Sequence, residues 1–182
     1  MNIINDMYSR GKINESEKLL IFTTALDLAL MTKFVGTTET EQLKAYCMII
    51  SGSEESTYMA RIASVILHLI GWHSLYLGSI ENKIDPFFDI DIQRLITKKL
   101  SNVEGLVVIQ IFSFNANTLK FLSNTIKTLR NKFRGDLRIA VCTNNDLLQA
   151  SEDMDVDYTT TELTSLIEWT KEEYRNSILA NS

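Results

Sequence analysis

Between Lys44 and Gly78 the chain reads KAYCMIISGSEESTYMARIASVILHLIGWHSLYLG. An apolar run, Ala45 to Ile50, leads into a small polar turn, Ser51-Gly52-Ser53-Glu54-Glu55-Ser56. A helix-period segment follows, with Met59, Ile62, Ala63, Ile66, Leu69 and Ile70 on one face; Gly71 stops it, and a second apolar run, Trp72 to Leu77, ends at Gly78. Strand, turn, helix, glycine stop and strand make a βαβ unit, because parallel strands can be joined only through a long crossover. In parallel sheets, ligands gather over the carboxyl ends of the strands. The Ser51 to Ser56 turn is therefore the first place to look for a site.

The rest of the chain repeats the alternation. Residues 1–12 are polar and read as a frayed end. Ile13 to about Phe34 carries Leu19, Leu20, Phe22, Thr23, Leu26 and Leu30 as one amphipathic helix, and Asn14 with Glu17 forms a capping box at its start. Gly36 to Thr40 is a linker of turn formers. This predicts an N-terminal helical segment over 1–40 and an α/β domain over 41–182. Past Gly78, a loop carries the only proline, Pro86, and Ile90 to Leu100 reads as the second crossover helix. Leu106 to Phe112, LVVIQIF, has the continuous apolar character of a central parallel strand. Asn115 caps a long helix through Phe133, whose Lys120, Lys127, Arg130, Lys132 and Arg134 read as a solvated basic face. Leu137 to Cys142 is a fourth strand, Asp146 to Asp155 a short acidic helix or loop, Val156 to Thr160 a brief edge strand, and Leu163 to about Ile178 a final helix. With right-handed crossovers, five such strands predict a flavodoxin-like, doubly wound parallel sheet in the order 2-1-3-4-5, preceded by the N-terminal amphipathic helix.

Composition narrows the function. The chain has 182 residues and a formal net charge of −5, which argues against direct nucleic-acid binding or a membrane-surface role. No apolar run is as long as a membrane span and the N-terminus lacks a signal-peptide core, so a cytoplasmic protein is expected. The two cysteines, Cys47 and Cys142, fall inside core strands and read as small buried hydrophobes rather than a disulfide or metal pair. The two histidines, His68 and His73, do not pair by spacing. Ser53 and Ser56 beside Glu54 and Glu55 lack the Gly-x-Ser-x-Gly of a nucleophile elbow, and the two acids repel a phosphate; Ser53 or Glu54 reads as a helix cap. Asp85, Asp89 and Asp91 lack the glycine and closing glutamate of a calcium loop. No catalytic or metal-binding constellation is expected.

Gly71-Trp72, Leu77-Gly78 and the segment Arg10 to Glu17 carry a resemblance. The chain resembles the cobalamin (B12)-binding domain family, of the type found in photoreceptor regulators. That family places Asp-x-His-x-x-Gly after the first strand, and the register back from Gly71 puts Glu54, Ser56 and Met59 at its Asp, His and Gly positions. The His is the lower cobalt ligand, for which a serine hydroxyl is a poor substitute, and the Asp orients it. By the same resemblance, Gln110 stands for a serine lining the cavity of the nucleotide tail, Cys142-Thr143 for a Gly-Gly pair, and Lys18 for a His on the upper cobalt face.

The resemblance implies a candidate pocket of Ser56, Met59, Trp72, His73, Gln110, Phe112 and Thr143. It also implies a non-enzymatic regulatory or interaction protein: a degenerate cobalamin domain with no cofactor, acting through a protein partner, or by self-association through the N-terminal helix, in transcriptional or signalling control. The alternative is a ligand or light sensor holding heme, another tetrapyrrole or a corrinoid in a modified pocket.

Overall fold

A computed structural model of the chain describes residues 2–14, 17, 18, 21, 25, 43–80, 94, 98, 103, 105–133 and 135–180. It divides into two compact units, Met1–Glu39 and Thr40–Ser182.

In the N-terminal unit, the polar end expected to fray is a helix, α1 (Asn2–Ser9). An ion pair of Arg10 with Asp6 at 2.8 Å and a Ser9 hydroxyl donating to the Asp6 carbonyl secure its last turn. The capping box is present: the Asn14 amide donates to Glu17 Oε2 at 2.8 Å, and the Glu17 amide to Asn14 Oδ1 at 2.9 Å. The amphipathic stripe beyond it, the Gly36 to Thr40 linker, the proline loop and most of the second crossover helix lie outside the described residues.

The larger unit is an all-parallel, five-stranded sheet in the order β2-β1-β3-β4-β5, as the alternation predicted. The strands are β1 (Ala45–Ser51), β2 (His73–Ser79), β3 (Leu106–Phe112), β4 (Leu137–Cys142) and β5 (Tyr158–Thr160). The described helices are α2 (Thr57–Leu69), α3 (Ala116–Lys132), the short α4 (Leu148–Glu152), preceded by a 3-10 turn at Asn145–Leu147, and α5 (Leu163–Ala180). β3 is buried along its whole length, the reason it reads as an unbroken apolar run. Asn115 caps α3, its Oδ1 accepting from the amides of Asn117 and Thr118. Gly71, with φ of 94°, ends α2, the Trp72 amide donating to the Leu67 carbonyl.

Period-two alternation gives the sheet two different faces. One carries Met48, Ile50, Val107, Ile109, Ile111, Ile139 and Val141 against Leu119, Leu122, Ile126 and Leu129 of α3. The other carries Ala45, Cys47, Ile49, Val108, Phe112, Ala140 and Cys142 under α2 and α5. The helix-period stripe read from the sequence is turned inward only in part: Ala63 is buried and Met59 and Ile66 pack on the core. Ala60, Ala63, Ser64, Val65 and Leu67 are buried, whereas Leu69 and Ile70 are 44% and 39% exposed.

Candidate functional site

At the carboxyl edge of the sheet, the turn after β1 folds back on itself through hydroxyl groups. The residue before the first of α2 is Ser56, not the expected Ser53 or Glu54, and its side chain makes no cap. Instead the Ser56 hydroxyl lies 2.7 Å from the Phe112 carbonyl and 2.8 Å from the Ser53 carbonyl, and accepts from the Ser53 amide at 3.2 Å. Ser51 Oγ sits 3.0 Å from Ser56 Oγ and 2.9 Å from Thr57 Oγ1. The Phe114 amide donates to Ser53 Oγ, binding the turn to the segment after β3. Thr143 extends the lacing outward, its hydroxyl donating to the Ser113 carbonyl at 2.7 Å and its amide to the Thr160 carbonyl at 2.9 Å. The ends of β1, β3, β4 and β5 are thus joined by groups that satisfy one another.

The turn also lies tight against its neighbours. The Gly52 amide donates to the Phe112 carbonyl at 2.6 Å, and a Cβ placed on Gly52 would come within 2.6 Å of Ser113 Cβ and 2.8 Å of Thr118 Cγ2. Only glycine fits there. The glycine is spent on contact between protein segments, leaving no cradle around it.

Midway down the α2/α5 face, Gln110 is fully buried and level with Ile49 of β1 and Ala140 of β4. Its Nε2 donates to Thr170 Oγ1 at 2.8 Å, and the Thr170 hydroxyl donates to the Leu166 carbonyl one turn back along α5. Gln110 Oε1 has no hydrogen-bond partner among the described residues. The two thiols on this face are inert: burial alone pushes Cys142 up to about 12 and Cys47 further in the same direction.

Trp72 and His73 lie at the other end. His73 is level with Tyr46, whereas Ser51 is level with Phe112 and Cys142, so the two groups are about 17 Å apart along the strands. Trp72 is buried with its ring edge-on to Tyr174 of α5, and His73 stacks on Tyr46 with centroids 4.7 Å apart. Of the seven candidate residues, Ser56, Phe112 and Thr143 share the carboxyl edge with Met59, on the first turn of α2, beside them. Gln110 is at mid-sheet, and Trp72 and His73 are at the amino edge. The five named as Ser56, Gln110, Phe112, Trp72 and Thr143 are all buried within closed packing.

Sequence reasoning overlooked Thr170 and Tyr174. Both lie on α5 and meet the sheet only in the folded chain; the one local signal was Thr170 falling four residues after buried Leu166. Among the described residues no three His, Cys, Asp or Glu side chains gather in a way that could hold a metal ion, and no helix is long and apolar enough to cross a membrane.

No protein-family model matches the sequence, and neither does any curated protein. Solved structures do match in three dimensions. The monomethylamine corrinoid protein of Methanosarcina barkeri aligns with a TM-score of 0.62 at 10% identity, over 94% of this chain and 77% of that one. A cobalamin-binding protein from Desulfitobacterium hafniense aligns with a TM-score of 0.52 at 12% identity, over 93% of this chain and 75% of that one. The chain has the fold of a cobalamin-binding domain. At such identities the likeness is one of architecture, namely the 2-1-3-4-5 parallel sheet with its flanking helices.

Proposed function

We propose that this chain has kept the cobalamin-binding fold without the cofactor, and that it acts through protein contacts in transcriptional or signalling control rather than as an enzyme. One observation carries the reading. Ser56, which the register sets at the place of the cobalt-ligating histidine, is fully buried, and its hydroxyl is committed to the Phe112 and Ser53 carbonyls. That hydroxyl has one proton, given to a carbonyl, and accepts from the Ser53 amide, so it is enclosed by protein groups and offers cobalt no nitrogen. Around it, Gly52 is packed against Ser113 and Thr118, and Met59 stands where the register sets the family's glycine. These residues do not fit a corrinoid bound through its tail, and no step is derived through one.

With both thiols buried and pushed up, neither cysteine is a nucleophile. A protein partner is supported by the apolar side chains that α2 leaves in solvent, Leu69 and Ile70. The other route to a partner, the amphipathic N-terminal helix, rests on the sequence pattern alone. The sensor reading draws on a different observation: Gln110 Oε1, an orphan acceptor in the core, is the kind of group a buried ligand would satisfy.

The test is retention. Purified protein is mixed with hydroxocobalamin, adenosylcobalamin or hemin, desalted, and its absorbance recorded. The expected result is a colourless protein in all three cases, after which partners are sought by pull-down from the source cell. A stoichiometric chromophore after desalting would overturn the cofactor-free reading and favour the sensor.

A further inference from the structure

Charge is segregated on the α3 side of the sheet. α3 carries Lys120, Lys127, Arg130 and Lys132 and no carboxylate. The segment beside it carries Asp146, Glu152, Asp153, Asp155 and Asp157 and no cation, in a chain whose formal net charge is −5. The two lie together: Leu147, Met154 and Val156 belong to the same core cluster as Leu119, Leu122 and Ile126 of α3. Arg130 crosses the boundary, its Nη2 2.7 Å from Asp157 Oδ2 and its Nε donating to the Asp155 carbonyl at 2.9 Å. Lys127 lies one turn before Arg130 and Lys120 two turns before that, so both fall on its side of the helix, nearer the acidic segment. Yet these charges do not cancel within the chain. Lys120, Lys127, Asp146, Glu152 and Asp153 are exposed, and among the described residues none of the five makes an ion pair. A surface charged only for solubility mixes its signs. Here two unmixed rows run side by side.

We infer that this face pairs with the same face of a second copy of the chain. A two-fold axis parallel to the rows and lying between them sets the lysine row of each copy on the acidic row of the other, so a surface with both signs side by side is its own complement. Both rows start at the carboxyl edge, where β3 and β4 end, and this axis keeps them in step. Lys120 then faces the partner's Asp146, and Lys127 faces the partner's Glu152 and the partner's Asp153. Arg130, already bound to the acidic segment of its own copy, marks the boundary. α3 has 17 residues and is about 25 Å long, and the face is two elements wide, so the contact is at the small end of specific interfaces. Its attraction is carried by exposed charge, which makes the association weak and screened by salt. The inference rests on the reading above that the chain works through protein contacts, and names a second copy as the partner.

The test is sedimentation velocity over a concentration series at about 0.05 M and about 0.5 M salt. It compares wild type with Lys120→Glu/Lys127→Glu and with Glu152→Lys/Asp153→Lys, and circular dichroism verifies folding. All four substitutions are at exposed positions. Wild type is expected to double in mass at the lower salt and to be monomeric at the higher. Each reversed variant meets itself with like charges and should stay monomeric, whereas an equimolar mixture of the two should form a heterodimer at the lower salt. Where a reversed variant does not fold, Lys127→Glu or Glu152→Lys alone is read in its place. Wild type that is monomeric at the lower salt overturns the inference, as does a dimer that either reversal leaves intact, or a mixture that stays monomeric. Monomeric wild type that captures a different protein loses the second copy and keeps the protein-contact reading. A salt-sensitive dimer that retains cobalamin keeps the second copy and loses the cofactor-free reading.

Discussion

The two faces of one sheet are built to different rules. Toward α3, β1, β3 and β4 present Met48, Ile50, Val107, Ile109, Ile111, Ile139 and Val141, all aliphatic and all buried. Toward α2 and α5, the same strands present Ala45, Cys47, Ala140 and Cys142 beside the larger Ile49, Leu106, Val108 and Phe112, with Gln110 among them and Ser51 at the carboxyl edge. The first face is large side chains meeting large side chains, the ordinary way to fill a core to close-packed density. The second brings its helices down onto small residues, then uses polar side chains to fill and tie off what remains. A face that is merely a core does not need serine, threonine and glutamine. On β3 the contrast falls within one strand: Val107, Ile109 and Ile111 face α3, while Gln110 lies between Val108 and Phe112 on the other side.

The largest expected effect tests the aliphatic face. Ile109→Ala should lower unfolding free energy by about 2–5 kcal/mol in urea titration, through lost transfer energy and a residual cavity. A cost as small as that of trimming Cys47 to Ala on the opposite face would mean that the two faces are not packed differently.

Next comes an attempt to restore the missing ligand. Ser56→His must force an imidazole into a site with no free volume, at a cost of about 1–3 kcal/mol from overpacking, and the variant should still retain no cobalamin after desalting. Tight retention by this single variant would show that only the ligand, and not the space around it, had been lost.

The smallest effect concerns the thiols of the α2/α5 face. Burial raises Cys142 from 9.0 to about 12, and Cys47 moves further in the same direction. In the unfolded chain both thiols ionise in their ordinary range, so their contribution is whole below that range and declines as the pH rises toward the folded values. Each thiol should remove about 1.4 kcal/mol of stability per pH unit in that window. Urea midpoints measured on either side of pH 9.0 should show it, and Cys142→Ala should reduce the slope by one thiol's share. An unchanged slope would mean that Cys142 is reached by solvent in the native state.

Much of the architecture was legible in the chain. The glycine stop at Gly71, the cap at Asn115 and the apolar run from Leu106 to Phe112 act through local backbone geometry and strand period, and each lies where the pattern put it. The inner face of α2 was legible only in part. The stripe found Ala63, which is buried, and Met59 and Ile66, which pack on the core, but it also put Leu69 and Ile70 inward and missed Ala60, Val65 and Leu67, because the end of a stripe depends on what the helix meets. The candidate site was legible only in part. Ser56, Phe112 and Thr143 meet at the carboxyl edge because parallel strands end there together, whereas Trp72 and His73 sit next to each other in sequence at the wrong end of the sheet.

What the sequence determined by itself is the order of strands and helices and the polar turn at Ser51 to Ser56, since periodicity and turn chemistry are local properties. What only the tertiary structure decided is the state of that turn and of Gln110 beneath it. The Ser56 hydroxyl finds the Phe112 carbonyl across 56 residues, and Gln110 finds Thr170 across 60. Whether a small polar side chain opens a site or seals one depends on which distant group it meets, and that is settled by packing.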